Sequence, residues 1–530
     1  MDQIDAATLR TRLNDGDEIA LLDAREEVPF DARHLLMASC VPLGRLEELV
    51  DALVPRRDVR VVWCDDGEGL AERAAERMAT LGYSSLSVLD GGVGGWEAAG
   101  FPVYSGVHVP SKAFAEVVEH EAGTPYISAE ELKGLMDDGA DIAVFDSRSY
   151  EEFHGNSIPG AISVPGAELV YRFTDLTPSP DTMIIVNCGG RTRSIIGAQA
   201  LINAGFPNKI VSLMNGTQAW HLSGYEVMKG STERPSPVSE KGLIAAMDAA
   251  EKVKERLDII ELDKDDLDTW RGEDGERSLF ILDVRTPEEY ETGHFPGSRS
   301  APGGQLIQET DTFVGVWGGR VVLVDGDGVR ATMTASWLLQ MGWEDVAIHI
   351  IDPENDYLIE GSYAPRVLGD HGSARGIDAA ALRGDLKSGT ALVVDLDDSR
   401  TYREGHIPGA WFALRTHLAE ALAKLPKSES IVFTSSDGAL ACLAVLDLAD
   451  DDISRTVMAL RGGTQAWIAS GFDLESGDSN MASTPDDIRL KAREQSEDIE
   501  AAMNAYLTWE INLVNQLAED SDNRFQVMTD

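Results

Sequence analysis

The stretch Met183-Ile184-Ile185-Val186-Asn187-Cys188-Gly189-Gly190-Arg191-Thr192-Arg193-Ser194-Ile195-Ile196-Gly197-Ala198-Gln199-Ala200 decides the reading of this chain. It starts as a short apolar run of buried-strand type and ends in a helix-like run, with a tight loop between. The thiol of Cys188 therefore stands at the end of a strand and at the start of a helix. Amides at a helix start point toward whatever sits in the loop, and the helix dipole adds partial positive charge there. Arg191 and Arg193 add full charge, and Gly189 and Gly190 let the backbone wrap closely. A free cysteine is ordinarily a small core residue. In this setting it reads instead as a nucleophile with a lowered pKa, a thiolate near neutrality. The loop suits an anionic substrate or a charged sulfur adduct.

The same unit recurs outward from this loop. An apolar strand ending in acid appears as Leu21-Leu22-Asp23-Ala24-Arg25, Val144-Phe145-Asp146-Ser147-Arg148, Ile281-Leu282-Asp283-Val284-Arg285 and Val393-Val394-Asp395-Leu396-Asp397. A turn follows in three copies: Gly155-Asn156-Ser157-Ile158-Pro159-Gly160-Ala161, Gly293-His294-Phe295-Pro296-Gly297-Ser298 and Gly405-His406-Ile407-Pro408-Gly409-Ala410. The first copy keeps only His34-Leu35-Leu36-Met37-Ala38. A second strand then ends in Cys64, Cys188, Asp325 or Ser435, which fall 41, 42, 42 and 40 residues after the acid. Thirty-two residues further stand Trp96, Trp220, Tyr357 and Trp467, three of them closing a Gly-rich turn. Fixed spacing in four copies marks a tandem repeat.

Strands alternating with helical runs such as Gly69 to Met78 predict α/β domains with mainly parallel sheets. The cysteine loop then lies at the carboxyl end of a strand, where such sheets place their sites. The four aromatics are expected to pack as core beneath the Gly turns. The Asp-x-Arg pairs are expected to be structural ion pairs. The expected division is residues 1–107, 120–230, 250–368 and 371–478, with a helical tail over residues 479–530. Ser231-Thr232-Glu233-Arg234-Pro235-Ser236-Pro237 reads as a linker, and Lys241 to Leu257 as a helix. Thr484 to Leu517 reads as one or two helices capped by Asp486 or Thr484. Its apolar residues Ile499, Met503, Tyr506, Ile511, Leu513, Val514 and Leu517 are expected to dock on a domain of the same chain, or else on a second subunit.

Composition narrows the function. The chain has 530 residues and a formal charge of −46, from 45 basic and 91 acidic residues. Such a surface repels nucleic acid and anionic membranes. The cysteines Cys40, Cys64, Cys188 and Cys442 lie far apart without metal spacing, which points to a reducing compartment. The first residues show no basic region followed by an apolar one, so a cytoplasmic location is expected. No nucleotide loop, zinc pattern or flavin fingerprint is present, and no cofactor is expected.

Taken in order, the Asp-x-Arg strand end, the Gly-His-Ile-Pro-Gly-Ala turn, the cysteine loop and the Gly-Gly-x-x-Ala-Trp turn resemble the rhodanese family over nearly the whole chain. The resemblance implies a tandem four-domain sulfurtransferase of bacterial type. Its cysteine would take a sulfane sulfur, hold it as a persulfide and pass it to a thiophilic acceptor. It implies Cys188 as nucleophile, with Gly189, Gly190, Arg191, Thr192, Arg193 and Ser194 as the cradle and the two arginines holding an anionic donor. Thiosulfate or glutathione persulfide would be the donor, and a thiol or cyanide the acceptor. Asp325 and Ser435 cannot form a persulfide, so the third and fourth copies are expected to be inactive. Cys64 is followed by Asp65, Asp66 and Glu68, which would raise its pKa. It is expected to be weak or silent, a sulfur relay being the alternative. Cys40 and Cys442 are expected to be core.

Two rival readings stay open. A phosphatase of the same fold needs an arginine at the sixth position after the cysteine; Ser194 stands there and Arg193 comes one place early. Arsenate reduction is a variant of that reading. A non-catalytic scaffold or regulator, in which the repeats bind partners, is the other. A homo-oligomer stays open under each reading.

Overall fold

The computed structural model describes residues 2–354, 356–449, 455–494, 498–520 and 522–529. They form four five-stranded sheets of one topology, every named pair of strands parallel. In the second domain the order across the sheet is Tyr126–Ile127, Ile210–Leu213, Met183–Asn187, Ile142–Asp146, Ile162–Ser163. Ile184, Ile185 and Val186 are fully buried. Helices cover both faces, so a central strand reads as a continuous apolar run rather than an alternating one. Asp146 pairs with Asn187 in register, which places the Asp-x-Arg end beside the residue that precedes Cys188.

The strand-end ion pairs are structural, as their type suggested. Arg25–Asp23, Arg148–Asp146 and Arg285–Asp283 close at 2.6, 2.7 and 2.6 Å. In the fourth domain Asp397 stands where the arginine would be, and burial together with Asp397 pushes the Asp395 carboxyl up to about 8.

The indoles of Trp96, Trp220 and Trp467 are buried and donate to the carbonyls of Pro102, Glu226 and Asp473. Tyr357 departs from the expected core position, being 75% exposed. Among the described residues the third domain has no helix after the strand Val346–Ile350. Without a Gly-rich turn to start that helix, Tyr357 is carried out on a loop.

One apolar core runs through the first three domains, while the fourth has its own. Helix Glu240–Arg256 packs on Glu168–Leu176 of the second domain and Val329–Gln340 of the third. Helix Val109–Glu121 packs on Thr192–Asn203, the helix that follows Cys188, and on the C-terminal helix. Arg415 of the fourth domain reaches Glu47 of the first at 2.7 Å.

The tail differs from expectation. Among the described residues helix forms only over Ile499–Leu517, with a short 3-10 turn at Ala492–Glu494. Its cap is Asp498, which accepts from the amide of Ala501, not Asp486 or Thr484. Around Asp486 and Arg489 the backbone pairs with the first domain instead: the Val28 amide donates to the Asp486 carbonyl, and the Arg489 amide to the Glu27 carboxylate. Met503, Leu507, Glu510, Leu513 and Leu517 are buried within the chain, while Ile499 and Ile511 stay exposed. Among the described residues no helix is long and apolar enough to cross a membrane.

Candidate active site

The second-domain loop is fixed from below by the strand end. Asn187 donates to Asp146 at 2.9 Å and to the Thr217 hydroxyl at 3.1 Å. The Gly-rich turn holds the loop from the side. The Cys188 carbonyl accepts from the Thr217 amide at 2.8 Å and its hydroxyl at 3.0 Å, and the Gly189 carbonyl accepts from the Gln218 amide. Gly216 makes this approach possible. Its φ is +54°, and a Cβ there would lie 2.3 Å from the Cys188 carbonyl oxygen.

Cys188 is buried, 2% exposed. Its Sγ donates to Ser194 Oγ at 3.5 Å, and Ser194 in turn donates to the Arg191 carbonyl at 2.8 Å. Helix Thr192–Asn203 begins beneath it. The direction of the shift is opposite to the lowered one expected. Burial pushes the Cys188 thiol up, Arg193 and Ser194 pull it down without prevailing, and Glu510 pushes it up again.

The arginines explain why. Arg191 is committed to carboxylates of helix Val109–Glu121, with Glu116 at 2.5 and 2.8 Å and Glu119 beside it, and it also donates to Asn215 at 3.1 Å. Its guanidinium is thereby paired within the chain. Arg193 pairs with Glu152 at 2.6 Å, and Lys491 of the tail reaches the same carboxylate at 3.0 Å. Burial would raise the Glu152 carboxyl, but Arg193 and Lys491 bring it well below the usual carboxylate range. Two cations share one acid, so this side of the loop keeps net positive charge.

The C-terminal helix supplies the roof. Glu510 Oε1 accepts from the Thr192 hydroxyl at 2.7 Å. A Cβ on Gly190 would meet Glu510 Oε2 at 3.2 Å, Tyr506 at 3.3 Å and Gln218 at 3.4 Å. Glu510 and Tyr506 carry no local sequence signal, because they lie more than three hundred residues from the loop in the chain. Glu152 did carry one. It stands six residues after Asp146, as Glu289 does after Asp283, and only those two copies have an arginine at the loop position of Arg193 and Arg330. Arg330 and Glu289 form the same pair, at 2.6 Å.

The other three loops fill the corresponding space with their own side chains. In the third domain the Asp325 carboxylate accepts from the Arg330 amide at 2.8 Å and the Ala331 amide at 3.3 Å. In the first, Asp65 accepts from Leu70 and Ala71 at 2.6 and 3.2 Å. Cys64 beneath it is fully buried, and burial, then Asp23, push its thiol far up. In the fourth, Ser435 accepts weakly from Ala441 at 3.4 Å. Cys40 and Cys442 are half-buried at the core margins. Among the described residues no cluster of metal-ligating side chains occurs.

Comparison with known proteins agrees with this architecture. The rhodanese-like domain model matches residues 5–99, 128–223, 263–350 and 378–470. A crystal structure of a thiosulfate sulfurtransferase from Pseudomonas aeruginosa is 45% identical, superposes with a TM-score of 0.96 and covers 100% of both chains. A thiosulfate sulfurtransferase of Azotobacter vinelandii is 27% identical over 29% of this chain and 64% of its own length. A putative sulfur carrier protein of Bacillus subtilis is 28% identical over 19% of this chain and 54% of its own length. This chain thus spans between about half and two thirds of those two relatives. Four matched domains that cover most of the sequence, each on the same parallel sheet, establish that the chain belongs to the rhodanese-like family of sulfurtransferases.

Proposed function

We propose that the protein is a thiosulfate sulfurtransferase that works through a persulfide on Cys188. One observation carries the reading: the third-domain carboxylate of Asp325 rests on the helix-start amides of Arg330 and Ala331. Asp325 holds the repeat position of Cys188, and those two residues hold the positions of Arg193 and Ser194. A built-in anion thus marks the spot where a charged sulfur on Cys188 would receive the same donors.

In the first half-reaction the Cys188 thiolate attacks the outer sulfur of thiosulfate. A new S–S bond forms, the bond to the sulfonate sulfur breaks, and sulfite leaves with that electron pair. The Arg193–Glu152–Lys491 group retains one positive charge in excess, which favours an anionic donor. In the second half-reaction a thiophilic acceptor takes the outer sulfur, and the electron pair returns to Cys188. Domains one, three and four lack a usable thiol in the cradle and act as structural partners. The relatives that carry thiosulfate sulfurtransferase in their names favour the same donor.

The test is thiosulfate:cyanide sulfur transfer by wild type, Cys188→Ser and Cys64→Ser. Loss in Cys188→Ser alone is expected. Equal loss in Cys64→Ser would replace the single site with a relay, and an inactive wild type without persulfide would overturn the proposal.

A further inference from the structure

The C-terminal helix lays one carboxylate against the nucleophile loop and leaves it half satisfied. Glu510 is 1% exposed. Its Oε1 accepts from the Thr192 hydroxyl at 2.7 Å, while its Oε2 is buried with no hydrogen bond among the described residues. Oε2 is also the atom that a Cβ on Gly190 would meet first, at 3.2 Å. Gly190 and Thr192 belong to the same tight loop as Cys188, two and four residues on. The charges that face this carboxyl are Lys112 and Glu116 from helix Val109–Glu121, Arg191 from the loop and the Tyr506 hydroxyl from its own helix. Neither cation is spent on it: Lys112 donates to the Val107 carbonyl at 2.5 Å, and Arg191 is held by Glu116 and Glu119. Lys112, Arg191 and the Thr192 hydroxyl favour the ionised form, and burial works against it. Glu510 is in turn one of the groups that push the Cys188 thiol up. A buried carboxylate with one oxygen unpaired is costly, and such groups gather where a protein does chemistry.

We infer that Glu510 is a positioning residue that sets how firmly sulfur is held on Cys188: its carboxylate opposes negative charge in the loop, so the persulfide anion is passed on rather than stored. This rests on the sulfurtransferase reading above. Loading begins at the Cys188 thiol, whose proton goes to solvent. An S–S bond forms to the outer sulfur of thiosulfate, and sulfite leaves with the electron pair of the bond that breaks. The loop thereby gains one negative charge. A carboxylate against the same loop disfavours that gain, and a buried pair of charges is screened little by salt. Discharge to an acceptor, followed by return of the proton to Cys188, removes the charge again, so the same repulsion favours discharge.

The test is the loading equilibrium between thiosulfate and sulfite in the full-length protein at pH 8, read from the mass of the Cys188 peptide. Sulfite is added until wild type is about one-tenth loaded, which leaves room for a change of about tenfold in either direction. Glu510→Gln removes the charge and keeps an acceptor for Thr192. Its loading constant is expected to rise about tenfold, to about half occupancy. The pH dependence of Cys188 alkylation by iodoacetamide is expected to move down by about one unit in the same variant. Glu510→Met, similar in length and uncharged, is expected to move both readouts in the same direction, and it keeps the test open if Glu510→Gln does not fold. Damage to the roof alone would lower loading, so a gain separates the charge from a structural role. Persulfide on wild type, with unchanged or lower loading in both variants, overturns this inference alone. No persulfide in wild type overturns it together with the reading beneath it.

Discussion

Replacing Gly216 by alanine separates the site from the scaffold. At φ +54° a side chain is strained by about 1 kcal/mol. The new Cβ would also stand 2.3 Å from the Cys188 carbonyl oxygen and 2.7 Å from that of Gly190. Relieving those overlaps moves the loop by about an ångström, at a cost of about 1–3 kcal/mol, and weakens the Thr217 amide bond by about 1 kcal/mol more. The expected destabilisation is about 3–5 kcal/mol for the second domain. A shift of that size at the nucleophile should lower sulfur transfer by about a hundredfold in the protein that remains folded. Gly463 provides the control. Its φ is +59°, and a Cβ there would lie 2.0 Å from the Ser435 carbonyl oxygen. Gly463→Ala should cost comparable stability in the fourth domain and leave turnover per folded molecule within about twofold. The assay pairs urea denaturation, followed by fluorescence, with thiosulfate:cyanide turnover in native buffer. Wild-type turnover in Gly216→Ala, or equal losses in both variants, would refute the claim that the Gly-rich turn positions the Cys188 loop.

Other expectations follow from the same geometry. Burial holds the Cys188 thiol above the ordinary cysteine range, so alkylation by neutral iodoacetamide should keep accelerating as pH rises through 9, followed on the Cys188 peptide by mass spectrometry. In Arg193→Met the nearest cation is gone, and alkylation at pH 8 should slow by about tenfold. Cys64→Ser should leave turnover unchanged, since that thiol is fully buried and its cradle is filled by Asp65. Burial holds the His34 imidazole down at about 3. The folded state therefore binds fewer protons than the unfolded one between about pH 6.5 and 3, and stability falls as pH falls through that window. At pH 5 the loss from this one group is about 2 kcal/mol, so His34→Gln should lose less stability than wild type between pH 7 and 5 in urea titrations.

How much was legible follows the range of each interaction. The repeat, the parallel α/β architecture and the strand-end ion pairs were readable because they rest on local patterns: Ile184–Val186 as a buried strand, Asp146 two residues from Arg148, Gly216 in its turn. The upward push on the Cys188 thiol was not readable. A helix start, two glycines and two arginines all favour a thiolate, but the sequence does not show that Arg191 is held by Glu116 and Glu119 or that the tail brings Glu510 onto the loop. The tail helix was placed too early for a related reason. The segment from Thr484 has helical composition, yet its backbone partners lie in the first domain. Tyr357 shows the limit of spacing itself: its position in the repeat was right, while the turn that would have buried it is absent from that copy.

The most direct measurement of the central claim is the mass of each cysteine peptide after thiosulfate treatment of the full-length protein under non-reducing conditions. One added sulfur on Cys188, removed by cyanide, is expected, with Cys40, Cys64 and Cys442 unmodified. Added sulfur on Cys64 instead, or none on Cys188, would contradict it.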